Sequence, residues 1–224
     1  YLPKEIIGSG GMGQVWRAEE RASGRTLALK VIDPTRTGDE HLLARLETEA
    51  LALRCLLNAG QHPNIVPVLD FKVTDTHACL VMEYIPGQDL RTWCDTFNLD
   101  LRGRVRLLAK AARAAGWCHQ HDIIHRDLKP ANILVHTQTG EPVVVDFSIA
   151  KTSDPLELTL THEALGTTPY MAPEQLDHNR GPISPAADVY ALGATLYELI
   201  THVLPHPGNL AQVISRHQNE VQPA

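Results

Sequence analysis

The chain has 224 residues, of which 43% are hydrophobic and 21% charged, and its net charge is −6 at pH 7. That length can bury a substantial core, and scattered Lys and Arg in an acidic chain argue against nucleic acid as the main partner. No apolar run approaches the roughly 20 residues that a membrane helix needs. We therefore expect a cytoplasmic globular protein. Because the chain begins at Tyr1, we also expect it to be part of a longer protein, which leaves open a membrane anchor elsewhere.

The first third of the chain is predicted to be mostly β-strand around one helix. Residues 25–32 (RTLALKVI) alternate between the two faces of a strand after the turn signal Ser23-Gly24. Residues 39–57 place leucines at helical spacing, with acidic residues early, where the helix dipole favours negative charge. We predict a helix there and strands at 3–9, 14–20, 25–32, 65–73 and 78–84.

The pattern changes to helix after Pro86-Gly87. Residues 101–121 are rich in Ala and Leu, and residues 187–201 are almost wholly apolar, so both are predicted to be helices. Two short β-branched runs, ANILV and VVVDF, lie between them. The chain is therefore predicted to form a small β-rich lobe at 1–85 and a larger helical lobe at 86–224.

The first motif that carries chemistry is GSGGMGQV at residues 8–15. Gly8, Gly10 and Gly13 lack side chains where a backbone must approach phosphates closely, and backbone N–H groups can face the anion. A glycine-rich hairpin turn without a ligand has the same pattern. A dinucleotide-binding loop is disfavoured, because that motif needs the third glycine to open a helix and QVWRAEE continues as a strand.

The second motif is the lysine of LALK, Lys30, which leaves an apolar strand. One interpretation is an edge lysine whose ammonium reaches water, and the other is a cation that reaches phosphates. The second needs a carboxylate to hold the lysine in place. Glu49 on the predicted helix is one candidate and Glu47 the other. The two lie about 200° apart around the helix, so only one of them can face inward.

The third motif is HRDLKPAN at residues 125–132. Asp127 is suited to bind a nucleophile and Asn132 a metal, while Lys129 can neutralise a phosphoryl group. Buried loop charges are unfavourable unless they are paired, so this run between apolar segments is unlike a solvated turn. The valines of VVVDF then deliver Asp146 to a fixed place, and a carboxylate suits Mg²⁺.

Five motifs, GSGGMGQV, LALK, HRDLKPAN, DFS and APE, follow one another in the order of the protein kinase signature set. From Ile6 to Gly208 the chain resembles the eukaryotic-type protein kinase family. The wording of DLKPAN is similar to the Ser/Thr branch, and GTTPYMAPEQL is similar to bacterial Ser/Thr kinases. The resemblance implies an α+β, bilobal fold in which a β-rich lobe with one helix precedes a mainly helical lobe. It also implies a protein substrate with Ser or Thr.

The resemblance implies a role for each motif residue. Lys30 contacts the α- and β-phosphates of ATP and pairs with Glu49, Asp127 is the catalytic base, and Lys129 stabilises the γ-phosphoryl charge. Asn132 and Asp146 hold Mg²⁺, for which Mn²⁺ is an alternative. The residues implied to bind the nucleotide are Ile7, Gly8, Gly10, Gly13, Val15, Ala28, Lys30, Glu83, Ile85, Asp89 and Leu134.

Regulation is also implied by the resemblance. Arg126, next to the catalytic aspartate, is typical of kinases switched on by a phosphate on the activation loop. Thr159 and Thr161 match the positions phosphorylated in similar bacterial kinases. Thr167 is expected to contact the loop of residues 125–132, called the catalytic loop below. A dimer of kinase domains would allow phosphorylation in trans.

Besides an insertion of three or four residues at CLLNAGQ, before HPNIV, the chain departs from the family pattern in two places. Ser148 replaces the glycine of Asp-Phe-Gly, which is expected to restrict flipping of Phe147. The family's final helices are missing, so apolar surface is expected to be exposed on the helical lobe. These departures favour a pseudokinase scaffold as the alternative function, which the complete set of motif residues opposes. A small-molecule kinase is disfavoured, because the APE segment shapes a peptide-binding surface.

Overall fold

The structure is a computed structural model, and it describes residues 1–10, 13–32, 60–73, 78–146, 167–208 and 210–219. The helix predicted at residues 39–57 lies outside these ranges. So do Glu47, Glu49 and Ser148, together with the predicted phosphorylation sites.

The first part of the chain forms a five-stranded antiparallel sheet with the strand order β1-β2-β3-β5-β4. The predicted strands agree with the observed ones to within a few residues. The largest difference is the fourth strand, which was predicted from residue 65 and begins at Val68, because Ile65 instead pairs with the second sheet. The strands are β1 (Leu2–Gly10), β2 (Gly13–Glu19), β3 (Thr26–Ile32), β4 (Val68–Val73) and β5 (Ala78–Glu83).

The side chains on the two faces of β3 pack in two different hydrophobic clusters. Leu27 and Leu29 pack in a small cluster on one face, whereas Ala28 and Ile32 belong to the large core shared with the helical part. Side chains alternate along a strand, so Lys30 projects on the same face as Ala28 and Ile32. The strand period therefore directs this lysine toward the helical part.

The rest of the described chain is mainly helical and contains a small second sheet, β6-β7-β8. Capping side chains begin several helices: Asp89 accepts from Thr92 N at 2.9 Å, and Asp100 accepts from Gly103 N at 2.8 Å. The strands are β6 (Gly87–Asp89), β7 (Ile133–His136) and β8 (Pro142–Val144). The helices are α1 (Leu90–Thr96), α2 (Leu101–His119), α3 (Pro173–Leu176), α4 (Pro185–Thr201) and α5 (Leu210–Asn219).

A short segment links the two parts at β8. Ile65 forms a parallel bridge with Val144, and the hydrogen bonds are Val66 N to Val144 O at 3.0 Å and Val144 N to Asn64 O at 2.9 Å. The Asn64 side chain is buried and donates to Pro142 O at 2.7 Å. The strand that precedes Asp146 is therefore bound to the segment that leads into β4.

One face of α4 is apolar and exposed. Val189 is 64% exposed and Ile200 46% exposed, and Tyr197 lies on the same face of the helix. The expectation of exposed apolar surface on the helical lobe agrees with this finding. No helix among the described residues is long and apolar enough to cross a membrane. The cysteines that the structure describes, Cys79, Cys94 and Cys118, are free thiols.

Candidate active site

The loop between α2 and β7 gathers the polar residues of the third motif. Asn132 donates through its side-chain amide to the carboxylate of Asp127 at 2.9 Å and to its carbonyl at 2.8 Å. Lys129 Nζ lies 3.3 Å from the same carboxylate and donates to Thr167 Oγ1 at 2.6 Å. Asp127 and Asn132 are buried, so these contacts hold both side chains in a largely dehydrated site. The expected contact between Thr167 and the catalytic loop is present.

The carboxylate of Asp188, in α4, binds the backbone of this loop. Asp188 is 0% exposed and accepts hydrogen bonds from His125 N and Arg126 N, each at 2.8 Å, and it lies 2.7 Å from His119 Nε2. Arg126 has a φ of 64°, which a residue with a side chain rarely adopts. The bonds from Asp188 therefore hold a strained backbone immediately before Asp127.

His125 joins the loop to the end of β8. Its Nε2 lies 3.0 Å from Val145 O, and its Nδ1 accepts from Asp127 N at 3.3 Å. A carbonyl can only accept, so Nε2 carries the proton. Complete burial lowers the pKa of His125, which favours the neutral ring that this pair of bonds requires.

Asp146 follows β8 and meets the lysine from the sheet. Its φ is 59°, and its carboxylate is paired with Lys30 Nζ. Burial by itself raises the pKa of Asp146, but the Lys30 ammonium outweighs burial and holds the pKa below its usual value. Glu49, the partner expected from the resemblance, lies outside the described residues, so the described cation–carboxylate pair is Lys30–Asp146.

The donor set fits a hard divalent cation. The described residues contain no group of three or more His, Cys, Asp or Glu that could hold a metal ion. Mg²⁺ is usually held by one or two carboxylates together with substrate phosphates, which is what Asp146 and the amide oxygen of Asn132 offer. Nδ2 donates both of the side-chain hydrogen bonds described above for Asn132, so Oδ1 is the atom that would meet the cation.

The residues predicted to bind the nucleotide lie on or next to strands of both sheets. In the sheet, Val15 pairs with Lys30 and Ala28 pairs with Met82. In the helical part, Leu134 pairs with Asp89 in the small sheet. The remaining predicted residues are Ile7, Gly8 and Gly10 in β1, Gly13 opposite Gly10, Glu83 at the end of β5, and Ile85 just beyond it.

Three of these positions have further constraints. A side chain at Gly13 would overlap the carbonyl of Val31 on the neighbouring strand, so only glycine fits. Asp89 already caps α1 through Oδ1, and the Glu83 side chain is paired with Arg25 at 2.7 Å.

A second group of polar residues holds the segment that ends at α3. Tyr170 donates to the carboxylate of Glu198, which is only 3% exposed and is also paired with Arg91. Burial, and then the bond to Glu198, raises the pKa of Tyr170. Glu198, Asp188 and Gln175 were not singled out in the sequence. A usable signal was present for Asp188 and Glu198, since a charge in an almost wholly apolar helix must be paired if it is buried.

Basic and acidic groups at the contact of a glycine-bearing sheet with a helical part define a phosphoryl-transfer enzyme. A model of the protein kinase domain matches residues 1–222. The chain therefore belongs to the protein kinase family, and it has that family's α+β, bilobal fold.

The relatives are bacterial Ser/Thr kinases. The chain is 36% identical over 231 residues to serine/threonine-protein kinase PknA of Mycobacterium tuberculosis, covering 100% of this chain and 52% of that protein. It is 37% identical to serine/threonine-protein kinase PkaA of Streptomyces coelicolor (97% and 42% covered) and 38% identical to serine/threonine-protein kinase pkn3 of Myxococcus xanthus (94% and 39% covered). The chain thus spans about half the length, or less, of these relatives.

Proposed function

We propose that this chain is the catalytic domain of a Ser/Thr protein kinase, which transfers the γ-phosphoryl group of ATP to a protein hydroxyl. The observation that carries the proposal is the convergence of Lys30 and Asp146 from the two parts of the fold. The group formed by the buried Asp127 and Asn132 with the partly buried Lys129 supports it. The two domain portions are proposed to be residues 1–85 and 86–224.

In this proposal, Asp127 orients the substrate hydroxyl and accepts its proton as the bond to phosphorus forms. Lys129 lies beside that carboxylate and stabilises the charge on the transferred group, while Lys30 binds the α- and β-phosphates. Asn132 and Asp146 would hold Mg²⁺ or Mn²⁺, and the cation supplies charge neutralisation at the phosphates. Glu49 is proposed to orient Lys30 once nucleotide replaces Asp146 as its partner.

The nucleotide is proposed to lie between the sheet and β7. The apolar side chains of Val15, Ala28 and Leu134 would contact the adenine ring, and the backbone at Glu83 and Ile85 would pair with its edge. The second oxygen of Asp89 is the one left for the ribose, because Oδ1 caps α1. The backbone from Ile7 to Gly13 would cover the phosphates.

Activation is proposed to follow phosphorylation of Thr159 or Thr161, with the phosphate paired to Arg126. A transient dimer of kinase domains would supply the second active site for this step. Ser148 is proposed to alter switching and to leave the metal ligand Asp146 in place.

Autophosphorylation tests the proposal. The chain and its Asp127→Asn variant would be incubated with Mg-ATP, with Mn-ATP in parallel, and phosphosites mapped by mass spectrometry. We expect phosphate on Thr159 or Thr161 in the parent and none in the variant. Absence of phosphate from the parent, together with a rise in Tm on Mg-ATP binding, would reject the kinase and support the pseudokinase scaffold.

A further inference from the structure

The side chain of Gln175 bridges α3 and the catalytic loop. It is 7% exposed, its Oε1 accepts from Ala172 N at 2.9 Å, and its Nε2 donates to Arg126 O at 2.9 Å. The second bond joins residues 49 positions apart in sequence. The side-chain amide of Gln175 therefore accepts a hydrogen bond from one backbone group and donates a hydrogen bond to another.

The bond to Arg126 acts on the peptide group that leads into Asp127. The carbonyl of Arg126 and the N–H of Asp127 belong to one planar unit, so fixing one fixes the other. Asp188 holds the preceding N–H at 2.8 Å, and Arg126 itself has the left-handed φ of 64°. A left-handed residue with a side chain persists only where its surroundings hold it on both sides. The hydrogen bond from Gln175 to the carbonyl holds Arg126 on its C-terminal side.

The segment of residues 167–176, which contains Gln175, also contacts the catalytic loop near its start. Thr167 accepts from Lys129 at 2.6 Å, and Tyr170 is anchored to the buried Glu198. Residues 167–176 are therefore bound to the catalytic loop through Thr167 and Gln175, and to α4 through Tyr170. Of the two contacts with the loop, the Gln175 amide is the one that meets the backbone before Asp127, so a displacement of this segment would reach that backbone through it.

We infer that Gln175 is a positioning residue for Asp127, which sets the orientation of that carboxylate and couples it to the 167–176 segment. This inference rests on the proposed kinase function for its effect on rate, although the hydrogen bond itself exists independently of it. Both hydrogen bonds of the Gln175 side chain described above go to backbone groups of this chain, so we expect it to act on kcat through Asp127 and to leave the KM for ATP unchanged.

Two substitutions separate the two hydrogen bonds. Gln175→Glu keeps the acceptor toward Ala172, but the ionised carboxylate faces the carbonyl of Arg126 with a lone pair in place of a hydrogen. Gln175→Met keeps the volume and loses both bonds. When the introduced carboxyl is protonated it regains a donor, and burial raises its pKa above the usual value of about 4.3. Gln120→Glu adds the same charge at an exposed position after α2 and serves as the control.

The experiment measures kcat for a protein substrate from pH 5.5 to 8.5 in the parent and in these three variants. At pH 8 we expect Gln175→Glu and Gln175→Met to lose about tenfold in kcat, the effect of one hydrogen bond of about 1.4 kcal/mol. The ratio of Gln175→Glu to parent should rise as the pH falls, whereas the ratio for Gln175→Met stays flat. A Gln175→Glu profile parallel to that of the parent would overturn the inference.

Amide hydrogen exchange gives a second reading that does not depend on activity. We expect faster exchange at residues 125–128 in Gln175→Met, with unchanged protection across α2. Unchanged exchange at 125–128 would overturn the inference even if kcat falls. If the parent transfers no phosphate, the proposed function fails and exchange alone decides the role of Gln175. If Gln175→Glu does not fold, Gln175→Met carries the test.

Discussion

The ion pair between the partly exposed Arg91 and the buried carboxylate of Glu198 is expected to contribute strongly to stability. Removing the partner of a buried charge destabilises a protein by about 3–5 kcal/mol. Arg91 is 43% exposed and Tyr170 still donates to the carboxylate, so the lower end applies to Arg91→Met, about 3 kcal/mol. For a domain of this size Tm falls by about 2–4 °C per kcal/mol, so we expect a loss of about 6–12 °C.

The assay is a double-mutant cycle in urea at pH 8 with Arg91→Met, Glu198→Gln and the double variant. In Glu198→Gln the neutral amide can still accept from Tyr170, and it leaves no buried charge that needs a cation. Removing Arg91 as well should then cost little, so the double variant should lose less stability than the sum of the two single variants. We expect a coupling of about 2 kcal/mol. Arg91→Lys, which keeps the positive charge, should recover most of the stability.

The coupling energy distinguishes a charge effect from lost packing, because packing lost at Arg91 costs the same whether residue 198 is Glu or Gln. A coupling below about 0.5 kcal/mol would refute the reasoning.

Three other predictions follow from the contacts of single side chains. Burial lowers the pKa of His62, so the stability contributed by its neutral ring is complete above pH 6.5 and is lost as the pH falls through the lowered pKa. Asn64 N donates to Nδ1 of His62 at 3.1 Å, a bond that requires an unprotonated Nδ1. His62→Asn offers a side-chain oxygen that can accept this bond, so it should flatten part of the acid loss of stability in urea titrations, and an unchanged slope would contradict this. Thr167→Val removes the acceptor for Lys129, and a bond to a charged donor contributes about 1.5 kcal/mol or more, so the variant should lower kcat about tenfold and Tm by about 3–6 °C. Lys30→Met should raise the pKa of Asp146, visible by NMR titration, and lower phosphoryl transfer by about 100-fold or more; an Asp146 pKa that stays low would show that another group holds it.

Local sequence patterns predicted the strands and helices well where apolar residues recur with a regular period. The strand period of RTLALKVI placed β3 and the face of Lys30, and the alanine-rich run placed α2 within two residues of its observed end. The start of β4 was predicted three residues early, because Ile65 looks like strand in isolation but pairs with Val144. No local pattern reveals which distant strand a short apolar segment will join.

The supporting contacts of the candidate site were harder to predict. The motif order pointed to Asp127, Asn132 and Asp146, whereas the residues that hold them were missed. Asp188 and Gln175 bind backbone groups, and a backbone N–H or carbonyl is present at every position, so the sequence carries no sign of the partner. Only the folded structure brings these groups within hydrogen-bonding distance.

The attachment of residues 64–66 to β8 determines how the two parts of the molecule can turn against each other. A rotation moves atoms in proportion to their distance from its axis, and the paired backbones near Val144 are the natural place for that axis. Asp146, two residues further on, would shift little, whereas the hairpin of β1 and β2 would swing through a wide arc. If the proposed function is right, a rotation of this kind would leave Asp146, the proposed cation ligand, almost in place and move the backbone proposed to cover the phosphates away from it.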